Sequence, residues 1–176
     1  MILTGKEIKK QVELGTIKID PFDEKSCGPN SYDLRIGEEY GMVVNNSDYS
    51  GCIFLSNESK LEIKLITPDK YLILESRKAY LAHTIEVIES DKYVPIIHGR
   101  SSAARHGLMV HYAGLGDIGW YGQVVLELVN MTDEIMFLPV GVRVAQVSWH
   151  SVEGEIELYN STYQNQMGIV PGKALT

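Results

Sequence analysis

The chain has 176 residues, 44% of them hydrophobic: enough for one sizeable core, too few to favour two full domains, and hard to reconcile with wholesale disorder. Sixteen basic residues stand against 23 acidic ones, for a net charge of -7, with no long Lys/Arg stripe, which argues against a generic nucleic-acid binder yet leaves room for a small anionic ligand held by local arginines. No run approaches the ~18 apolar residues of a membrane span and the first residues lack a secretory apolar core, so a cytoplasmic protein without a membrane partner is expected.

The first predicted element is a helix over residues 4–14. Thr4 and Glu7 form a capping box, Leu3, Ile8 and Val12 give it an apolar side, and Gly15 stops it. A short strand over 17–20 ends at Pro21. Cys27 and Cys52 make neither a zinc knuckle nor a redox pair and read as semi-buried thiols in a reducing compartment. Strand patterns then dominate: 32–36, 61–66, 71–74, 80–88, 94–97, 124–129, 142–149 and 156–159, separated by turns rich in Gly, Asp, Asn, Ser or Pro. Residues 100–108 read as one short helix stopped by Gly107. The last twenty residues read as a mobile tail. Many short strands at such spacing predict an all-β fold, a distorted β-barrel or sandwich.

Chemistry concentrates in Gly99-Arg100-Ser101-Ser102-Ala103-Ala104-Arg105, Asp117 and Val124-Val125-Leu126-Glu127-Leu128-Val129. Arginine recognises phosphate bidentately, and serines early in a helix add hydroxyls and free N–H groups. A carboxylate inside a hydrophobic run sits where burial raises its pKa and lets it carry a proton. Together they point to a phosphorylated substrate and to acid–base chemistry, metal-independent or assisted by Mg²⁺. Plainer readings stand beside these: Glu127 as an outward residue of a half-buried strand, Arg100 and Arg105 as surface charges, Asp117 as an acid in a Gly-rich hairpin. A zinc deaminase needs His-x-Glu and Pro-Cys-x-x-Cys segments. His83-Thr84-Ile85-Glu86 has the wrong spacing and the cysteines stand too far apart, so no protein-bound zinc is expected.

Four stretches in order, Pro29 to Gly37, Gly99 to Arg105, Ala113-Gly114 with Asp117 and Gly119-Trp120 through Glu127, and Tyr163-Gln164-Asn165-Gln166-Met167-Gly168, span nearly the whole chain. In them the sequence resembles the dCTP deaminases, all-β relatives of the trimeric dUTPases. The resemblance implies a dUTPase-like β domain over 1–158, with an N-terminal helix and a short helix bearing Gly-Arg-Ser-Ser, and a tail over 159–176 that closes the active site. It implies hydrolytic deamination of dCTP to dUTP and ammonia, feeding dUMP and dTTP synthesis. Glu127 would shuttle protons, Ser101 and Arg105 would position water and stabilise charge, and Asp117 would lie beside deoxyribose and base. Arg100 and Ser102 would hold the triphosphate, with Tyr112, Ala113, Gly114, Trp120, Tyr159, Tyr163 and Gln166 as further substrate-binding residues.

It further implies Mg²⁺ carried by the triphosphate, dCTP and dUTP as ligands, dTTP as a candidate inhibitor, and a homotrimer whose sites draw residues from neighbouring subunits. The alternative is a bifunctional dCTP deaminase–dUTPase yielding dUMP, ammonia and pyrophosphate, which Ala113-Gly114 and the short spacing to Asp117 resemble. A dUTPase alone and a catalytically silent nucleotide-binding regulator complete the set. Departures from the family pattern are His98 before Gly99, Leu115-Gly116 in place of a bulkier pair, Ile118 after Asp117, and Thr162 where a lysine is usual, with Lys173 as a substitute cation.

Overall fold

A computed structural model of the chain describes residues 1–45, 61–66, 70–111, 114–170 and 172. Helix α1 (Gly5–Glu13) starts as expected, with Thr4 Oγ1 accepting from Glu7 N at 3.3 Å, while the Glu7 carboxylate accepts from Gln11 Nε2 at 2.7 Å. Ile8 is fully buried, and Gly15, at φ +76°, takes the left-handed turn that ends the helix.

Among the described residues ten strands follow: β1 (Ile17–Asp20), β2 (Tyr32–Asn45), β3 (Leu61–Ile66), β4 (Tyr71–Leu74), β5 (Ala79–Ser90), β6 (Tyr93–Gly99), β7 (Leu108–His111), β8 (Tyr121–Asn130), β9 (Met136–Pro139) and β10 (Arg143–Ser151). The main sheet has eight strands in the order β6-β10-β2-β5-β8-β7, with β1 paired to β5 and β3 to β2; β4 and β9 form a second, two-stranded sheet. All these pairings are antiparallel. After β7 the chain returns to β6, the far edge: Leu115 bridges Ile96, and Ile97 N donates to Gly114 O at 3.1 Å. The sheet thereby curls into the barrel-like, mostly β architecture that the strand spacing predicted. Alternation sends Tyr32, Leu34, Ile36, Leu126, Leu128 and Trp149 into one core, closed by Leu72 and Leu74 of the small sheet.

Several boundaries differ from the sequence reading. β2 runs on past residue 36, because Gly37-Glu38-Glu39 form a bulge: Ile36 opposes Thr84 while Tyr40 opposes Ala82. The second helix, α2 (Ser101–Arg105), is shorter than 100–108, since Gly107 at φ +83° reverses the chain and Leu108 opens β7. β7 and β9 are too short and too irregular in pattern to stand out in sequence. Residues 156–159 are not a strand: their alternation finds no ladder, Ile156 and Leu158 are exposed, and Tyr159 N makes one backbone bond, to Ile118 O at 2.7 Å. Among the described residues no helix is long and apolar enough to cross a membrane.

One buried charge pair ties β2 to β5. Glu86 is fully buried; its Oε1 lies 2.6 Å from Arg35 Nε, and its Oε2 accepts from Arg35 N at 2.9 Å. Removing one partner of such a pair strands the other charge in low dielectric. Arg35→Met is therefore expected to lower stability by about 3 kcal/mol, read from denaturant titration against wild type; an unchanged midpoint would mean that the pair contributes nothing.

Candidate active site

β8 carries the centre of the site. Leu126 and Leu128 point into the core, so Glu127, between them, faces the other side, opposite Leu81 of β5 and His111 of β7. There it lines a cavity of about 420 Å³ together with Asp117, Gly114, Trp120, Tyr159, Tyr163 and Gln166. That volume suits a small ligand, and most other lining residues are apolar. Glu127 Oε2 is buried and has no hydrogen-bond partner among the described residues. Burial pushes the Glu127 carboxyl above the ordinary carboxylate range, partly offset by its own backbone N–H and by the charge of His111.

The loop bearing Asp117 is stitched to the barrel by backbone bonds, Gly116 N to Pro95 O at 2.8 Å and Gly119 N to Ser90 O at 2.7 Å, and is turned on itself by Trp120 N donating to Asp117 O at 3.2 Å. A Cβ at Gly116 would meet Pro95 Cγ at 2.6 Å, so only glycine permits this approach. The C-terminal segment closes the other side. Trp120 Nε1 donates to Tyr163 O at 2.7 Å, Gln164 Nε2 to Gly119 O at 2.8 Å, and Tyr163 N to the Tyr159 hydroxyl at 3.2 Å. Asn165 N also donates to Tyr121 O at 2.9 Å.

The other half of the predicted site lies elsewhere on the protomer. None of Arg100, Ser101, Ser102 and Arg105 lines the cavity that holds Glu127. The register explains why: β7 pairs His111 with Glu127 and Leu108 with Asn130, so α2, which precedes Leu108, sits beyond the end of β8, roughly 10 Å along the strand. Ser101, Ser102 and Arg105 are exposed there. Arg100 caps α2 and pairs through Nε with Asp33 Oδ1 at 3.1 Å, while Arg143 Nη1 lies 3.6 Å from Asp33 Oδ2. Burial raises the Asp33 pKa even against these two guanidiniums. Tyr112 and Ala113 lie outside the described residues, as does Lys173.

Asp33 and Arg143 were missed as site neighbours in sequence, although Asp33 stands inside the Pro29-to-Gly37 motif; nothing in the local pattern marks Arg143. For a metal, no group of three His, Cys, Asp or Glu side chains among the described residues has suitable geometry. Asp33, the carboxylate paired with the α2 cap Arg100, is already shared by two guanidiniums and does not suit a protein-held ion.

The β arrangement matches the crystal structure of a 2'-deoxycytidine 5'-triphosphate deaminase from Agrobacterium tumefaciens, with a TM-score of 0.64 at 18% identity. The match covers 86% of this chain and 48% of that one, so the chain spans about half the length of that solved protein; the likeness defines the class of fold. The family model described as dCTP deaminase-like matches residues 2–152, and the chain belongs to that family of enzymes. Similar proteins include the "dCTP deaminase, dUMP-forming" of Clostridium acetobutylicum, 40% identical over 173 residues, 97% of this chain and 95% of the relative. Those of Clostridium botulinum (strain Eklund 17B) and Cytophaga hutchinsonii carry the same name, at 42% and 41% identity, each over 97% of this chain and 95% of the relative.

The strained carboxyl has a measurable signature. A folded pKa above the unfolded value means that stability falls as pH rises from about 4.5 through the folded pKa, and stays reduced above it. Glu127→Gln removes that loss. It is expected to melt higher than wild type at pH 8, with the advantage shrinking as pH falls towards 5. Thermal melts at the two pH values measure this, and a variant that melts lower at pH 8 would show Glu127 to be well solvated.

Proposed function

We propose that the chain deaminates dCTP and carries the nucleotide on to dUMP, releasing ammonia and pyrophosphate. The observation that carries the reading is Glu127: a half-buried carboxyl with an unpartnered oxygen and a raised pKa, in a nucleotide-sized cavity. The relatives named as dUMP-forming, aligned over nearly the whole chain, favour the bifunctional alternative over release of dUTP as end product. The Gly114-to-Asp117 spacing supports the same choice.

In the first step a water attacks cytosine C4. Glu127 takes a proton from that water and delivers one to ring nitrogen N3, and the exocyclic amine departs as ammonia with a second proton, so dCTP and water become dUTP and ammonia. In the second, Asp117 directs water to the α-phosphorus of dUTP, giving dUMP and pyrophosphate. Mg²⁺ arrives as part of the nucleotide substrate and offsets charge on the phosphate oxygens. Trp120, Tyr159, Tyr163 and Gln166 enclose base and sugar, with residues 159–176 as the closing tail. dTTP shares the sugar and triphosphate but lacks the exocyclic amine, and would occupy the same cavity as an inhibitor.

We also propose a homotrimer in which α2 of a neighbouring subunit completes each cavity. Ser101, Ser102 and Arg105 are exposed and do not line their own protomer's pocket, which leaves them available to a neighbour's. Ser101 and Arg105 would position the water, while Arg100 and Ser102 would hold the phosphates.

Incubation with dCTP, with ammonia, pyrophosphate and nucleotides assayed together, is expected to give ammonia with dUMP as end product. Stable dUTP would remove the second step; pyrophosphate from dUTP without ammonia from dCTP would leave Glu127 without its role. Glu127→Gln should lose at least ~100-fold in ammonia release. Sharing between subunits has its own test, since Glu127→Gln and Arg105→Ala are each expected to be inactive. Co-refolded in equal amounts they should recover about a quarter of wild-type activity, because each site has an even chance of drawing each intact residue. No recovery from verified mixed oligomers would place both residues in one subunit's site.

A further inference from the structure

The tail meets the barrel along the first residues of β8: the Gln164 side chain accepts from Tyr121 N at 2.9 Å and donates to Gly119 O at 2.8 Å, and Gln123 is engaged through both backbone and side chain. β5 and β8 pair His83 with Val125 and Val87 with Gln123, so three residues of β5 bulge opposite Val124 alone. The bulge turns the Ile85 carbonyl out of the ladder, and Gln123 Nε2 donates to it at 3.3 Å. From the same amide, Oε1 accepts from Gly168 N at 2.8 Å. The backbone of Gln123 grips Gln166 in both directions, its N–H donating to Gln166 O at 2.8 Å and its carbonyl accepting from Gln166 Nε2 at 3.2 Å. Gln166 lines the Glu127 cavity, as does Val170 two residues beyond Gly168, whereas Gln123 does not.

We propose that Gln123 is a positioning residue for this enzyme, its side-chain amide bridging the β5 bulge to Gly168 and so setting the stretch from Gln166 to Val170 across the nucleotide. The task needs a donor and an acceptor on one side chain at this length, which an amide supplies and neither a carboxylate nor an apolar chain does. Chemistry at C4 and at phosphorus does not touch Gln123. Its loss therefore acts on how firmly the tail holds nucleotide, and appears in KM before kcat.

The inference rests on the deaminase reading for its kinetic arm and stands apart from it for its structural arm. Gln123→Met keeps length and removes both polar functions; Gln123→Glu keeps the acceptor for Gly168 N. For Gln123→Met, KM for dCTP is expected to rise about tenfold with kcat within about twofold, the scale of one to two lost hydrogen bonds. Exchange of the Gly168 amide and chymotrypsin cleavage after Tyr163 should accelerate about tenfold, with amide protection in β5 and β8 retained. Gln123→Glu should keep most of the Gly168 protection. Unchanged KM and unchanged Gly168 exchange in Gln123→Met would overturn the proposal, as would an equal loss of protection throughout β5 and β8. If wild type releases no ammonia from dCTP, the deaminase reading falls and Gly168 exchange alone decides the role of Gln123.

Discussion

The pairing of β8 with β5 is the constraint on which the rest depends. β8 is bonded on both edges, to β5 and β7, and the C-terminal segment runs along its first residues. Its alternation divides one strand into two chemistries, leucines into the core and Glu127 into the cavity. A slip of one residue would bury the carboxylate in the core and expose Leu126 or Leu128, so the hydrophobic pattern itself fixes where the acid sits. The bulge opposite Val124 is stabilised from within: the Thr84 hydroxyl donates to Glu86 O at 2.7 Å and accepts from Val124 N at 3.0 Å, so the interrupted ladder leaves these groups satisfied.

A second constraint is electrostatic and sits at the other end of the protomer. In a chain of net charge -7, Arg100 and Arg143 converge on Asp33 beside the first turn of α2. Two guanidiniums to one carboxylate leave a local positive excess where exposed serines begin the helix, and that excess suits a polyanion. Motif and barrel are thereby joined, since the carboxylate that steadies Arg100 comes from β2 and the second arginine from β10. The Pro29-to-Gly37 stretch thus supplies, in Asp33, the carboxylate that holds Arg100 at the start of α2.

The legible part of the chain follows from its local rules. The capped helix, the all-β class and the apolar run around Glu127 each rest on propensity or period within a few residues, and the structure reproduces them. Bulges did not announce themselves: Gly37-Glu38-Glu39 looked like the end of a strand because polar residues break alternation, whereas the strand only bends there. The run 156–159 had the right alternation but pairs with no strand, its one backbone bond going from Tyr159 to Ile118 in the loop before β8, which is a fact of tertiary arrangement. The two halves of the predicted site were adjacent in sequence order and are separate on the protomer, because β7 carries the chain along β8 from the α2 end to Glu127. Gln123 carried no signal at all, being one polar residue before an apolar run whose partners lie more than thirty positions away on either side.

These features bear on one another through water. Burial is the main cause of the raised Glu127 pKa, and the cavity it faces is lined by barrel residues and by Tyr163, Gln166 and Val170 of the tail. On the proposed function, a carboxyl that carries protons gains from that exclusion, yet substrate has to reach the same cavity. The segment is fastened to β8 by hydrogen bonds rather than built into the apolar core, an arrangement compatible with the closing role proposed for it. The hydrogen bonds that seat it fall on the first residues of β8, the strand that holds Glu127, so the seating of the tail and the environment of the carboxyl are set by one register.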